Sequence, residues 1–400
     1  MFPLDRRCGA RLPFAIRDNG QSIFTVCGTT IVSAGWERLF DAARGRRHDL
    51  VTMKTSTLPE YNVTGHDYAQ RGHFRYDGPI IDIHTHVRIT RPSDPETGPP
   101  AEEGPGASLA QAETMLELAK DFGIVKTYTM CPAADIPPLR ERFGKSIEFN
   151  AHMLKKPDEP DDVAYRLLDR YLQGGARIVK FWAAPRGREQ GLLLDTPWRI
   201  ECARRAANAG IRVMMVHVAD PDTWFRTRYA DTAKFGTKEE QYRSLHRMLE
   251  MFPELQWIAA HMGGDPEHPD HLEALLERYP HLYFDTSATK WQVREVSIRR
   301  DAIRDLMCRH PTRFLFGTDL VTRHHLEREH YVSRYWCQRT LWESDWAGPS
   351  PIADPDYDAS TRTTPTLRGL ALPADVLRKV YYENACRLMG LEEASPAQRQ

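Results

Sequence analysis

The chain has 400 residues, 41% hydrophobic and 27% charged, with a net charge of -1. That allows one large domain or two ordinary ones around a sizeable core, and it provides no global field to gather nucleic acid or an anionic membrane. No run approaches 18 apolar residues, which excludes a transmembrane helix, and seven scattered cysteines without a CxxC pair read as reduced thiols, not a disulfide framework.

In chain order, residues 1–78 precede the first strand and read as an N-terminal extension, with arginines at the start and a short apolar stretch near Ile23–Val26. Met53 offers an alternative start, so residues 1–52 are expected to be poorly ordered or outside the native reading frame. Met1–Arg7 lacks the apolar run of a secretory signal, so a cytoplasmic location is expected. From Pro79 onward, apolar runs alternate with amphipathic stretches. Eight runs predict strands: Ile80–His84, Ile124–Met130, Ile147–His152, Ala176–Trp182, Ile211–His217, Leu255–His261, Leu282–Ser287 and Phe314–Asp319. They are rich in Ile, Val, Leu and Phe, as parallel strands covered on both faces tend to be.

Helices fill the gaps. Val163, Leu167, Leu168, Tyr171 and Leu172 repeat at helical spacing up to Gly174-Gly175. Thr196-Pro197 reads as an N-cap followed by proline at the first helical position, with a stop at Gly210. Leu272, Leu275 and Leu276 mark another helix, and Val376–Leu388 a last one closed by Gly390. Eight strand-then-helix units predict a (β/α)8 TIM barrel over 79–392, an α/β fold, with an open doubly wound sheet as the competitor. Residues 91–106 read as a Pro-, Gly- and acid-rich loop, 320–372 as a lid-like insertion after the eighth strand, and 393–400 as a tail.

Barrel active sites sit at the C-terminal ends of the strands. Here those ends carry His84 and His86, which share a strand face, then Lys180, His217, His261 and Asp319. Imidazole is the commonest protein metal ligand. Buried aspartate and lysine are rare unless paired, which makes Asp319 and Lys180 the informative members. Strand alternation adds Trp182, two residues beyond Lys180. Asp285 and Ser287 share a face on the seventh strand, Asp82 lies one layer below His84, and His152 ends the third strand.

This set resembles the amidohydrolase superfamily, and more narrowly its amidohydrolase-related (amidohydrolase 2) family of metal-dependent hydrolases. The resemblance rests on His84-Thr85-His86, Lys180, His217, His261-Met262-Gly263-Gly264, Gly317-Thr318-Asp319 and the closing Asn384-Ala385-Cys386-Arg387-Leu388, and it covers about residues 79–391. It implies one or two divalent metal ions, zinc first, with iron, manganese or nickel also suited to such ligands. In the two-ion form, His84, His86 and Asp319 hold one ion, His217 and His261 the other, and a carboxylated Lys180 bridges them. An unmodified ammonium has no lone pair for a metal. In the one-ion form, His84, His86, His217 and Asp319 are the ligands, and His261 is free to polarise substrate or donate a proton.

A divalent ion lowers the pKa of its water toward about 7 and polarises a carbonyl, while Asp319 serves as general base. Trp182, Lys290, Trp291 and Arg294 suit a flat, anionic substrate. The expected activity is hydrolysis of a C–O or C–N bond (ester, lactone or amide) in a small carboxylate-bearing molecule. The alternative is a mononuclear decarboxylase of an aromatic or unsaturated acid. A small-molecule substrate is expected, without a nucleic-acid or membrane partner, and a homo-oligomer is compatible with the sequence.

Overall fold

The structure, a computed structural model, describes residues 61–89, 108–185, 193–323, 327–354 and 364–392, with short strand segments between 17 and 31. The chain divides into two compact units, 1–57 and 58–400. In the first, Arg17–Asp18 pairs antiparallel with Gln21–Ser22, and Phe24–Val26 with Thr29–Ile31. The expected disorder of 1–52 otherwise lies outside the described residues, as do the 91–106 loop and the 393–400 tail.

The second unit is a parallel sheet rolled into a (β/α)8 barrel. Its strands are β1 (Ile80–His86), β2 (Ile124–Met130), β3 (Ile147–Met153), β4 (Ile178–Trp182), β5 (Val213–His217), β6 (Gln256–Ala259), β7 (Leu282–Asp285), β8 (Phe314–Leu315) and β9 (Leu320–Val321). Each of β1 to β7 pairs in parallel with the next, β8 pairs with β7, and β9 pairs with β1. Of the predicted eighth strand, Phe314–Asp319, only Phe314–Leu315 is strand; the chain breaks around Gly317-Thr318-Asp319 and resumes as β9 just beyond the predicted end. Asp319 has a positive φ of 59°, which no strand can carry through. The break still closes the ring. Ile83 N donates to Phe316 O at 3.0 Å and Asp319 N to His84 O at 2.8 Å, while Thr286 N donates to Leu315 O at 3.0 Å on the other side.

The helices between strands are α1 (Leu109–Asp121), α2 (Ile136–Phe143), α3 (Asp161–Gln173), α4 (Pro197–Asn208), α5 (Lys238–Met251), α6 (Pro269–Arg278), α7 (Thr289–Ile298) and α8 (Arg300–Arg309). The α3, α4 and α6 segments are those expected from spacing and caps. The last helix runs over 374–389 through one π-turn and stops at Gly390, φ 62°.

Alternation along each strand divides the core in two. Val179, Phe181, Met214, Val216, Trp257, Ala259, Leu282 and Phe284 face outward and pack in the large shell between strands and helices. Ile81, Ile83, Tyr128, Ile178, Val213, Met215, Ile258, Tyr283 and Leu315 fill the interior with Ala385, Cys386 and Met389 of the last helix. The interior is thus a packed column plugged at the bottom. Lys180, His217 and Asp285 continue the inward rows of Ile178, Met215 and Tyr283 by one step. On β1, a register shift between Asp82 and Thr85 interrupts the alternation, so Ile81 and Ile83 point inward and His84 and His86 still reach the mouth.

Within 320–372, the aromatic part is α9 (Arg328–Glu343), buried nearly all round, with Tyr331, Tyr335, Trp336 and Trp342 inside. It packs against α1 and α7. Residues 324–326 and 355–363 lie outside the described residues. A strap over 61–78 crosses α9. Glu343, fully buried, accepts from Arg75 N at 2.8 Å, Tyr76 N at 3.0 Å and the Tyr381 hydroxyl at 3.0 Å, and it pairs with Arg339. Arg339 in turn donates to the carbonyls of Phe122 and Tyr76. Removing one partner of a buried pair strands the other. Glu343→Ala should therefore destabilise the barrel by about 3–5 kcal/mol in urea-unfolding experiments.

Candidate active site

The sequence places its candidate ligands at strand ends, and the fold gathers most of them. His84 Nε2 lies 3.3 Å and His86 Nε2 3.1 Å from Asp319 Oδ1. These donor atoms all lie within 4.8 Å of one another. Donors sharing one ion at about 2.0–2.2 Å stand between ~2.9 and 4.4 Å apart, so the trio fits a divalent cation. The donor set, two imidazoles and a carboxylate, suits zinc and its neighbours. Asp319 is one-third exposed and His86 partly so, which leaves the trio open toward the mouth.

Lys180 is buried beside them, its Nζ 3.3 Å from His84 Nε2. Burial lowers its pKa to about 8, against the opposing pull of Asp285 and Asp319. A charged ammonium at that spot competes with a bound cation, so the lysine fits an occupied site only when neutral or carboxylated.

His217 and His261 do not join the trio. His217 Nε2 faces Asp220 Oδ1 at 2.9 Å, and Asp220 Oδ2 accepts from the Tyr229 hydroxyl at 3.1 Å. His261 Nδ1 lies 2.7 Å from Ser287 Oγ. The rings of His84, His261 and His217 nevertheless form a train, 5.0 and 4.5 Å between centroids, continued from His84 through His86 to His152. Burial lowers His86 to about 4 and holds His261 and His152 well below their usual range, so all three are neutral at pH 7. Burial works against the Asp319 carboxylate, yet His84 and His86 outweigh it and hold the group ionised.

Beneath this layer stand two buried carboxylates. Asp82 accepts from Thr318 Oγ1 at 2.6 Å, Thr318 N at 3.1 Å and His84 N at 3.1 Å, which fixes the approach to the left-handed Asp319. Burial raises it to about 7. Asp285 accepts from His84 Nδ1 at 2.8 Å, from the backbone N–H of His261 at 2.8 Å and of Ser287 at 3.1 Å, and from the Ser287 hydroxyl. Burial opposes its charge, but these partners, His84 foremost, hold it below the usual carboxylate range. Alternation places Asp285 and Ser287 on one face, but it carries no sign that they meet both His84 and His261.

The predicted sixth strand ends early, at Ala259, because His261-Met262-Gly263-Gly264 turns with four positive φ values in succession. A Cβ on Gly264 would stand 1.9 Å from Ala219 O, so only glycine lets the loop after β6 seat on the loop after β5. Outside that seat, Lys238 Nζ reaches Asp222 at 2.8 Å and Asp265 at 2.5 Å, tying the same two loops to α5.

Among the expected substrate contacts, Trp291 lies against His261, ring centroids 6.0 Å apart. Trp182 is partly exposed at the end of β4, in register with His217, and Lys290 is half-buried in the first turn of α7. Arg294 differs. It is buried, donates to Glu295 Oε1 at 2.7 Å and pairs with Asp354. Its charge is spent inside the protein, on a partner sixty residues away that helical spacing cannot reveal.

Among the described residues, no helix is long and apolar enough to cross a membrane. No curated protein matches the chain at a significant level. Solved structures similar to it include 2,6-dihydroxybenzoate decarboxylase from Rhizobium (16% identity, TM-score 0.44, covering 78% of this chain and 99% of that one). A probable 2-pyrone-4,6-dicarboxylic acid hydrolase from Acinetobacter baumannii (13%, TM-score 0.45, 78% and 99%) and 4-oxalomesaconate hydratase from Rhodopseudomonas palustris (16%, TM-score 0.45, 78% and 95%) are others. The family model described as Amidohydrolase matches residues 81–391, a span that holds every strand-end histidine and Asp319, and the chain belongs to that family of enzymes.

Proposed function

We propose that this enzyme is a single-ion hydrolase that cleaves an ester, lactone or amide bond of a small carboxylate-bearing substrate. The observation that carries the reading is the convergence of His84 Nε2, His86 Nε2 and Asp319 Oδ1 at the open end of the barrel. His217, which a second ion would need, faces Asp220 through Nε2, which supports one ion over two. A divalent ion held by the trio, zinc first, would supply Lewis acidity toward a carbonyl and acidify a water.

The chain's own residues supply the rest. Asp319 is ionised and one-third exposed, so it can take a proton from the attacking water and return it to the leaving group. His261 is neutral and lies beside Trp291, where it can exchange a proton with the substrate. Trp182 and Trp291 offer flat walls, and Lys290 offers a cation for the substrate carboxylate.

A second reading, loss of CO2 from an aromatic or unsaturated acid, is favoured by the same single-ion geometry. Product analysis separates them. Hydrolysis yields an acid plus an alcohol or amine, and decarboxylation yields CO2.

Metal analysis should give about one divalent ion per chain, and His84→Ala and Asp319→Ala should each lose the ion and at least ~100-fold in kcat/KM. A metal-free wild type that is fully active sinks the reading. With a carboxylate substrate found by screening, Lys290→Ala should raise KM about tenfold and leave kcat nearly unchanged, the mark of a lost charge-assisted contact. Arg294→Ala should instead lower the melting temperature.

A further inference from the structure

Asp285 and Ser287 are both fully buried. Their protons can be counted. Asp285 Oδ2 faces His84 Nδ1 at 2.8 Å. Asp285 Oδ1 takes the backbone N–H groups of His261 and Ser287, at 2.8 and 3.1 Å, together with the Ser287 hydroxyl. Oδ1 is thus an acceptor only, and in the contact of Oδ2 with His84 Nδ1 the imidazole is taken as the donor, the role that leaves Nε2 to an ion. The Ser287 hydroxyl has one proton, and it goes to Asp285. Ser287 Oγ therefore has only lone pairs left for His261 Nδ1 at 2.7 Å, and that nitrogen must be the donor. The same oxygen lies 3.1 Å from His84 Nδ1, whose shorter contact is to the carboxylate.

We propose that Asp285 and Ser287 are positioning residues that set two histidines to two different tasks. Asp285 holds His84 by Nδ1–H and turns Nε2 toward Asp319, as an ion ligand requires. Ser287, itself fixed by Asp285, holds His261 by Nδ1–H and leaves its Nε2 with the lone pair. One buried carboxylate thus serves the ligand directly and the proton-exchanging residue through a hydroxyl. For His84, this rests on the single-ion reading above; for His261, the tautomer does not, while its proton-exchanging task is taken from that reading. Outer partners of this kind fix ring orientation and tautomer in metal sites generally.

The test uses the full-length chain labelled with 15N-histidine, freed of metal, with His261 assigned from the signal lost in His261→Gln. In the wild type, the His261 spectrum should show a protonated Nδ1 and an unprotonated Nε2. In Ser287→Ala, it should move toward the Nε2–H form. A wild type protonated at Nε2, or a His261 signal unmoved in Ser287→Ala, overturns the assignment. The wild-type spectrum decides the point even if the variant fails to fold.

Zinc titration against a chelator reads the other half. Asp285→Asn should weaken zinc binding about 10- to 100-fold, and Ser287→Ala by no more than about threefold. Equal losses in the two variants overturn the division of tasks. A wild type that takes up no zinc overturns the ion reading and the His84 half with it, while the His261 tautomer still stands or falls on the spectrum.

Discussion

An ionised carboxylate cut off from water has to be ringed by donors, and Asp285 imposes that condition on the site. Its oxygens draw in a side chain from β1, the backbone of the turn after β6 and the hydroxyl two residues past the end of its own strand. Three segments of the barrel are thereby held at one point. Leaving such a charge short of partners costs several kcal/mol, so the arrangement is well determined. Asp82 does similar work one layer across, between β1 and the break in the eighth strand. The positions of His84, His261 and Asp319 are set by these buried acids more than by the loops that bear them.

The backbone at the mouth is under strain in the same places. Among the described residues, four of the five other than glycine with positive φ are His261, Met262, Ala288 and Asp319. Each such conformation costs of order 1–3 kcal/mol and persists only where its surroundings over-determine it. For His261 the surroundings include the Asp285 carboxylate on its backbone N–H, and beside Asp319 the Asp82 carboxylate holds Thr318. The fifth, Ala371, lies away from the strand ends, where its N–H bonds Ser344 O.

Much of this was legible in the sequence because packing enforces it. Ile178, Lys180 and Trp182, or Val213, Met215 and His217, alternate with outward residues since one face fills the interior and the other meets helices. The polar residue that ends each inward row announces the mouth. What stayed hidden depends on distance or on backbone sign. Phe314–Asp319 reads as an unbroken strand because apolar pattern is silent about φ. Arg294 reads as a substrate contact because Asp354 is remote in sequence, and α9 reads as loop-like because a helix buried all round has no polar face to mark its period. Asp285 was visible as a strand-face acid, but its two histidines come from β1 and the turn after β6, and only the closed barrel brings them within reach.

The seat of Gly264 on Ala219 has a mechanical consequence. With no clearance between the loops after β5 and β6, and Lys238 clamping their outer edge, neither loop can swing without the other. That quarter of the rim works as a fixed jaw.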